Sequence, residues 1–368
     1  MIDSTLNEKL VAKKALLQSI KADIKHLISA NNQGTSTSAL TDKLRHDILN
    51  TLVTYSDQIP HPASGNAANP NTLIRWQILA YIAGIDLTIA KWFESHLDAL
   101  SILHEVGYDK SVQGLWAVWA SEGHPDPIRY EQGPAHHTIS GTKGWCSGAN
   151  MAEHALMTYR DGDGQSQLLI VDMGQPGIEI DNSDWQAVGM QFTDTATVQF
   201  NQVPATKVGA ANAYLDRVGF WHGAAGVAAC WYGAAASLAG HLITAYQRKP
   251  NDYKAMYLGE IGTALAVTQQ YLHYVADLID TQSQCSHERI IRQLRANVEQ
   301  VARLVIETAG QALGAAPFCQ NAHFARLSAD LAVFIRQSHG AFDLQKIGEL
   351  TSELTGSSAD GQEHIWQL

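Results

Sequence analysis

Residues 218–247 contain no Asp, Glu, Lys or Arg. A helix of that length on a protein surface needs a charged or polar face for water, so this one must be buried all round. It can lie in a membrane or at the centre of a helix bundle. Its residues are mostly Ala and Gly, with His222, Ser237, His241 and Thr244 among them, which is small rather than strongly hydrophobic. Small side chains let neighbouring helices approach closely. The expectation is the central helix of a soluble bundle, with no membrane partner.

The remaining chain divides by its periodicity. Residues 6–30, with Leu10, Leu17, Ile20, Ile24 and Leu27 at helical spacing, predict an amphipathic helix, and further helices are expected at 40–55, 72–83 and 87–106. At Gly114 the pattern changes to short aromatic and β-branched runs broken by turns. Strands are expected at 115–121, 128–131, 156–160, 167–173, 178–180 and 195–200, with a further one running from His137 into a turn that begins at Trp145. Asp161-Gly162-Asp163-Gly164 is a hairpin signal. After Pro204 the helical period returns, predicting helices at 214–248, 252–281, 286–313, 322–337 and 341–354. The fold class is therefore α+β. It has an N-terminal helical domain (1–112), a central antiparallel β-barrel or sandwich (113–208), and a C-terminal four-helix bundle with a tail (209–368).

At 368 residues the chain exceeds the length at which single cores stop growing, so more than one core is expected. Apolar residues make up 45% and charged residues 17%, which leaves much surface to bury and predicts a homo-oligomer. A net charge of −11 without clustered Lys and Arg argues against nucleic acid. Cys146, Cys230, Cys285 and Cys319 are far apart with no Cys-x-x-Cys, so neither a disulfide framework nor a zinc site is supported. The first ten residues lack the apolar run of a signal peptide. A reducing cytoplasm is the expected setting.

His136-His137 lies on an expected strand, where neighbouring side chains point to opposite faces, so the pair cannot chelate a metal. No Gly-x-Gly-x-x-Gly, P-loop or Gly-x-Ser-x-Gly elbow occurs. The segment that carries chemistry is His137-Thr138-Ile139-Ser140-Gly141-Thr142-Lys143-Gly144-Trp145-Cys146-Ser147-Gly148-Ala149, an alternating strand ending in a Trp-x-Ser-Gly turn. A bulky aromatic with a small hydroxyl two residues on can cover a planar ring and reach one of its nitrogens.

From about residue 115 to 340 the chain resembles the acyl-CoA dehydrogenase superfamily of FAD proteins. Val118-Trp119-Ala120-Ser121-Glu122 is similar to that family's first β-domain strand. Ile139-x-Gly141-x-Lys143-x-Trp145-Cys146-Ser147-Gly148 is similar to its Gly-x-Lys-x-Trp-Ile-Ser/Thr-Asn motif, and the run from Trp185 through Val188-Gly189-Met190 to Val203-Pro204 resembles the following strands. The resemblance implies FAD in a cleft between the β domain and the C-terminal bundle. Ser121 would bond the pyrimidine end of the ring, Trp145 would line it, and Ser147 would sit near N5. Arg248, Gln311 and Gly314 would reach a neighbouring subunit's FAD, and the resemblance narrows the expected oligomer to a homodimer or homotetramer. The chain departs from the family at Arg248-Lys249-Pro250-Asn251-Asp252, where Arg-x-x-Phe-Gly is usual, and after Gly314, where Ala315, Ala316 and Pro317 replace a glycine run.

The family removes an α-proton with a Glu, at one of two places. Here those places hold Ser338-His339-Gly340 and Phe220-Trp221-His222-Gly223. His339 and His222 are the expected bases, since histidine works as one near neutral pH, and Glu122 is a third candidate. The resemblance implies α,β-dehydrogenation of an acyl-CoA or related acyl thioester. The same fold also houses flavin-dependent monooxygenases that lack the Glu. A third reading is a catalytically degenerate binding protein.

Overall fold

The computed structural model describes residues 4–31, 40–66, 69–133 and 137–353, with side chains from residue 11 onward. His136 and the tail from 354 lie outside these residues. Four helices come first: α1 (Ser4–Asn31), α2 (Asp42–Val53), α3 (Asn71–Ile85) and α4 (Leu87–Glu105). Asp86 starts α4 by accepting from the amides of Thr88 and Ile89, which satisfies donors a helix start leaves open. Its other oxygen takes Arg45 of α2 at 2.8 Å, a buried pair that ties two helices together.

Eight strands follow: β1 (Trp116–Trp119), β2 (Arg129–Gln132), β3 (His137–Cys146), β4 (His154–Arg160), β5 (Ser166–Asp172), β6 (Ile178–Asp181), β7 (Ala196–Pro204) and β8 (Thr206–Val208). They form two four-stranded sheets, ordered β1-β4-β5-β8 and β2-β3-β7-β6. Asp161 closes the β4–β5 hairpin by accepting from the amides of Asp163 and Gln165. The expected antiparallel order holds except at β1, which pairs parallel to β4 with Trp116 opposite His154. β1 arrives directly from the helical part rather than through a hairpin, so its direction is not set by a tight turn. Trp119, Met157 and Leu169 of one sheet share a core with Ile139, Val198 and Phe200 of the other, which makes the unit a sandwich.

The chain then returns to helices: α5 (Ala213–Asp216), α6 (Gly219–Arg248), α7 (Asp252–Thr281), α8 (Glu288–Leu313), α9 (Ala316–Gln320), α10 (Ala322–Phe334) and α11 (Ala341–Ser352). The helix expected at 214–248 is broken at Arg217, which is extended (ψ 142°), and Glu105 caps the restart by accepting from Gly219 N at 2.8 Å. The end of the helix expected at 322–337 tightens into a 3₁₀ turn at Ile335–Gln337.

The uncharged stretch is α6, long and apolar enough to cross a membrane but packed against α3, α7 and α8. A Cβ at Gly233 would stand 2.1 Å from the carbonyl oxygen of Ala80, so α3 and α6 meet backbone to backbone. One core runs through both helical parts, joining Ile78 and Leu79 to Trp231, Leu238, Ile291 and Leu294.

Candidate active site

The pairing of β3 with β7 slips between Lys143 and Cys146, and Trp145 sits in the slip at φ 62°. That left-handed conformation costs an aromatic residue on the order of 1 kcal/mol. Burial does not offset it, because Trp145 is 70% exposed and meets Trp185 only edge-on, at 6.2 Å. A large exposed ring in a strained turn is a platform for a planar ligand.

The turn is held from behind. Trp119 Nε1 donates to Ser147 O at 3.2 Å, while Gly148 N and Trp92 Nε1 of α4 both donate to Thr193 O, at 2.9 and 3.0 Å. Ser147 Oγ lies 2.9 Å from Thr195 Oγ1, which lies 3.0 Å from Thr193 Oγ1. The Thr193 hydroxyl donates to Met190 O at 2.8 Å.

These groups form one wall of a cavity of about 660 Å³. The structure brings Ser121, Trp145, Ser147 and His339 to its lining. His339 is exposed at the rim, where its amide donates to Asp343 Oδ2 at 3.1 Å. The facing wall is one stripe of α6, Phe220, Gly223, Ala224 and Val227, at i, i+3, i+4 and i+7.

The inner end is charged, and sequence reasoning missed it. Lys91, Glu94, Ser95 and Asp98 of α4 line it at helical spacing, together with Tyr214, Arg217 and Arg295. Lys91 Nζ lies 3.6 Å from Glu94, and Arg217 lies 3.5 Å from Asp98 and 2.7 Å from Glu105. Arg295 donates to the carbonyls of Ala224 and Gln337 and stacks over Trp231. Burial raises the Glu94 carboxyl above its usual range, with Lys91 opposing, and draws the Arg295 guanidinium down to about 10. The one available signal was Lys91-x-x-Glu94-x-x-x-Asp98, three charges on one stripe of α4. Such a stripe reads as a solvated face.

Other expected site residues lie elsewhere. His222 follows Phe220 by two positions, which turns it about 200° around α6 from the cavity stripe. It is buried, with Nε2 2.9 Å from Cys285 O and its ring stacked on His287. Glu122 stands beside the cleft in an adjoining space. Its carboxylate accepts from Thr158 Oγ1 and pairs with the buried Lys143 at 3.4 Å. Arg248 ends α6, about 40 Å along the helix from Phe220, and Gln311 and Gly314 stand at the end of α8, roughly 25 Å past Arg295. Gln311 bonds Glu307 at 2.9 Å there. None of these three can reach this cleft from within one chain.

The open indole of Trp145 suits a flavin ring, and Ser147 and Ser121 line the same cavity. The adjoining space beyond Trp145 and Trp185 is lined by Asp181 and Asp184 and by no Lys or Arg, so it suits no phosphate. At the rim, the exposed Arg336 is the cation placed to take one.

A sandwich of two sheets between helical parts, with a cleft where the three meet, defines an acyl-CoA dehydrogenase-like fold. Residues 127–203 match the family model for the acyl-CoA dehydrogenase middle domain. The matched stretch runs through most of the sandwich, within the fold that the sequence resembles. Dibenzothiophene monooxygenase from Rhodococcus erythropolis is 23% identical over 236 residues, 58% of this chain and 54% of that protein, so the match spans about half the relative's length. The structure of TdsC from Paenibacillus sp. A11-2, solved with FMN and indole, superposes with a TM-score of 0.71 at 17% identity, covering 94% of this chain and 97% of that one. A probable acyl-CoA dehydrogenase from Mycobacterium abscessus also gives 0.71 at 17% identity, covering 92% and 98%.

Proposed function

We propose that this protein is a flavin-dependent oxidoreductase of the monooxygenase kind, a cytoplasmic homo-oligomer that takes up reduced FMN and acts with oxygen on a small polar substrate. The observation that carries this is the cleft's inner end, where Lys91, Glu94, Asp98 and Arg217 replace the apolar tunnel a fatty acyl chain needs. His339, not a carboxylate, stands at the rim beside the ring platform. The FMN seen in TdsC supports a mononucleotide, as does the acidic space beyond Trp145. A flavin bound here supplies the electrons and, when reduced, the means of activating oxygen. Trp145 and Ser147 would hold its ring, Arg336 its phosphate, and Phe220 and Val227 would keep water from the facing side.

A second reading is α,β-dehydrogenation of a short acyl thioester with FAD. It is favoured by Glu94, a buried carboxylate in the cleft able to take an α-proton. Visible titration with FMN and FAD, followed by anaerobic mixing with butyryl-CoA, separates the two. FMN binding without bleaching is expected. Bleaching by butyryl-CoA overturns the monooxygenase reading in favour of the second. A protein that binds neither flavin, oxidised or reduced, overturns both and leaves a degenerate binding role.

A further inference from the structure

We propose that the cleft selects the reduced flavin, because a chain of hydroxyls locks Ser147 as a hydrogen-bond acceptor. This rests on the reading that a flavin ring lies over Trp145. The chain runs Ser147, Thr195, Thr193, Met190, and its direction is fixed at the far end. Met190 O is a carbonyl and can only accept, so the single hydroxyl hydrogen of Thr193 goes there, at 2.8 Å. The 3.0 Å contact between Thr193 and Thr195 is then a hydrogen bond only if Thr195 donates. With its hydrogen so placed, Thr195 can only accept from Ser147 at 2.9 Å.

Reversing either link would set two oxygens lone pair to lone pair with no hydrogen between them. Thr193 is 2% exposed and Thr195 7%, so water has little access to relieve such a clash. Ser147 Oγ therefore presents only lone pairs to the cavity. Reduction of a flavin adds a hydrogen to its central-ring nitrogen N5, which turns that atom from an acceptor into a donor. An acceptor-only Ser147 bonds the reduced ring and opposes the oxidised one. Thr195 and Thr193 are positioning residues in this scheme, acting through Ser147.

The test is anaerobic fluorescence titration of the protein with FMN in each redox state. Reduced FMN is expected to bind about tenfold tighter than oxidised FMN, the loss expected when a hydrogen-bonding group faces a partner of its own kind. For a two-electron couple this equals a midpoint about 30 mV above that of free FMN. Thr195→Val frees the Ser147 hydroxyl to turn and donate, which should bring the ratio close to one. Thr195→Ser retains the chain and should keep the preference, and Thr193→Val should lose it again by a separate break. Melting curves establish that each variant is folded. Equal wild-type affinities for the two states, or an undiminished preference in folded Thr195→Val, overturn the proposal while the flavin reading stands. Failure to bind FMN in either state overturns that reading, and this proposal with it.

Discussion

The amide of Met190 donates to Oδ1 of Asp330 at 2.6 Å, tying the loop that carries Thr193 and Thr195 to α10. Asp330 is 1% exposed, and its Oδ2 finds no hydrogen-bond partner among the described residues. Burial pushes this carboxyl up to about 6, more than the Met190 amide, Arg326 and Arg45 draw it down. The raised group binds its proton more tightly folded than unfolded. Its contribution is thus full below about pH 4 and is lost as pH rises through about 6, amounting to roughly 3 kcal/mol at most. Asp330→Asn stays neutral and keeps an acceptor for Met190 N. The variant should melt as wild type does at about pH 4 and above it at about pH 8; equal melting points at the higher pH would show that the buried charge costs nothing.

His96 works in the opposite sense over an overlapping range. Its Nδ1 accepts from the amide of Trp116 at 3.1 Å, so the ring is neutral and Nε2–H faces Ser56 Oγ at 2.9 Å. Burial, with Arg75 adding, lowers its pKa to about 4. A lowered histidine contributes stability above its unfolded pKa of about 6.5 and loses it as pH falls towards about 4, by roughly 3 kcal/mol. His96→Asn keeps an acceptor near Trp116 N and removes the titration. Thermal melts of this variant should fall less than those of wild type between about pH 6.5 and 4.5.

How far the site could be read in advance depended on whether its determinants are local. The Trp145–Ser147 turn was legible because strand alternation, glycines and an aromatic stand within one short segment. The buried α6 was legible because thirty uncharged residues leave it no alternative. The charged inner end was not, since Asp98 is enclosed by Gly223 and Arg217, more than a hundred residues away. A Cβ on Gly223 would stand 2.7 Å from Asp98 Oδ1, a constraint that nothing near Asp98 in the chain announces. Helical phase separates His222 from the cavity lining, which Gly223 beside it joins. The parallel β1–β4 pair went unseen because no hairpin connects the two strands.

Trp145→Gly separates binding from folding. Glycine adopts φ 62° freely, and the lost indole is mostly exposed, so stability should be unchanged or rise by up to about 1 kcal/mol. FMN affinity should fall at least about tenfold, as expected when an aromatic platform is removed. Paired melting curves and visible titrations read the two effects. A folded variant with wild-type FMN affinity would place the ring elsewhere.

The histidines and Glu122 divide by what each touches. Glu122→Gln weakens the partner of a buried lysine, and His222→Ala leaves Cys285 O without its bond. Each should destabilise by about 1–3 kcal/mol. Their effect on turnover with reduced flavin should be small once enough folded protein is present, because neither side chain lines the cleft. His339→Ala is the converse case. The ring is exposed at the rim and the hydrogen bonds of the residue are made by its backbone, so melting should shift by less than about 0.5 kcal/mol. If this imidazole moves a proton at the rim, substrate-dependent oxygen uptake should fall by about 10²-fold or more, with its pH profile altered. Full uptake in His339→Ala would transfer that role to the carboxylates of the inner end, with Glu94 the first to replace by Gln.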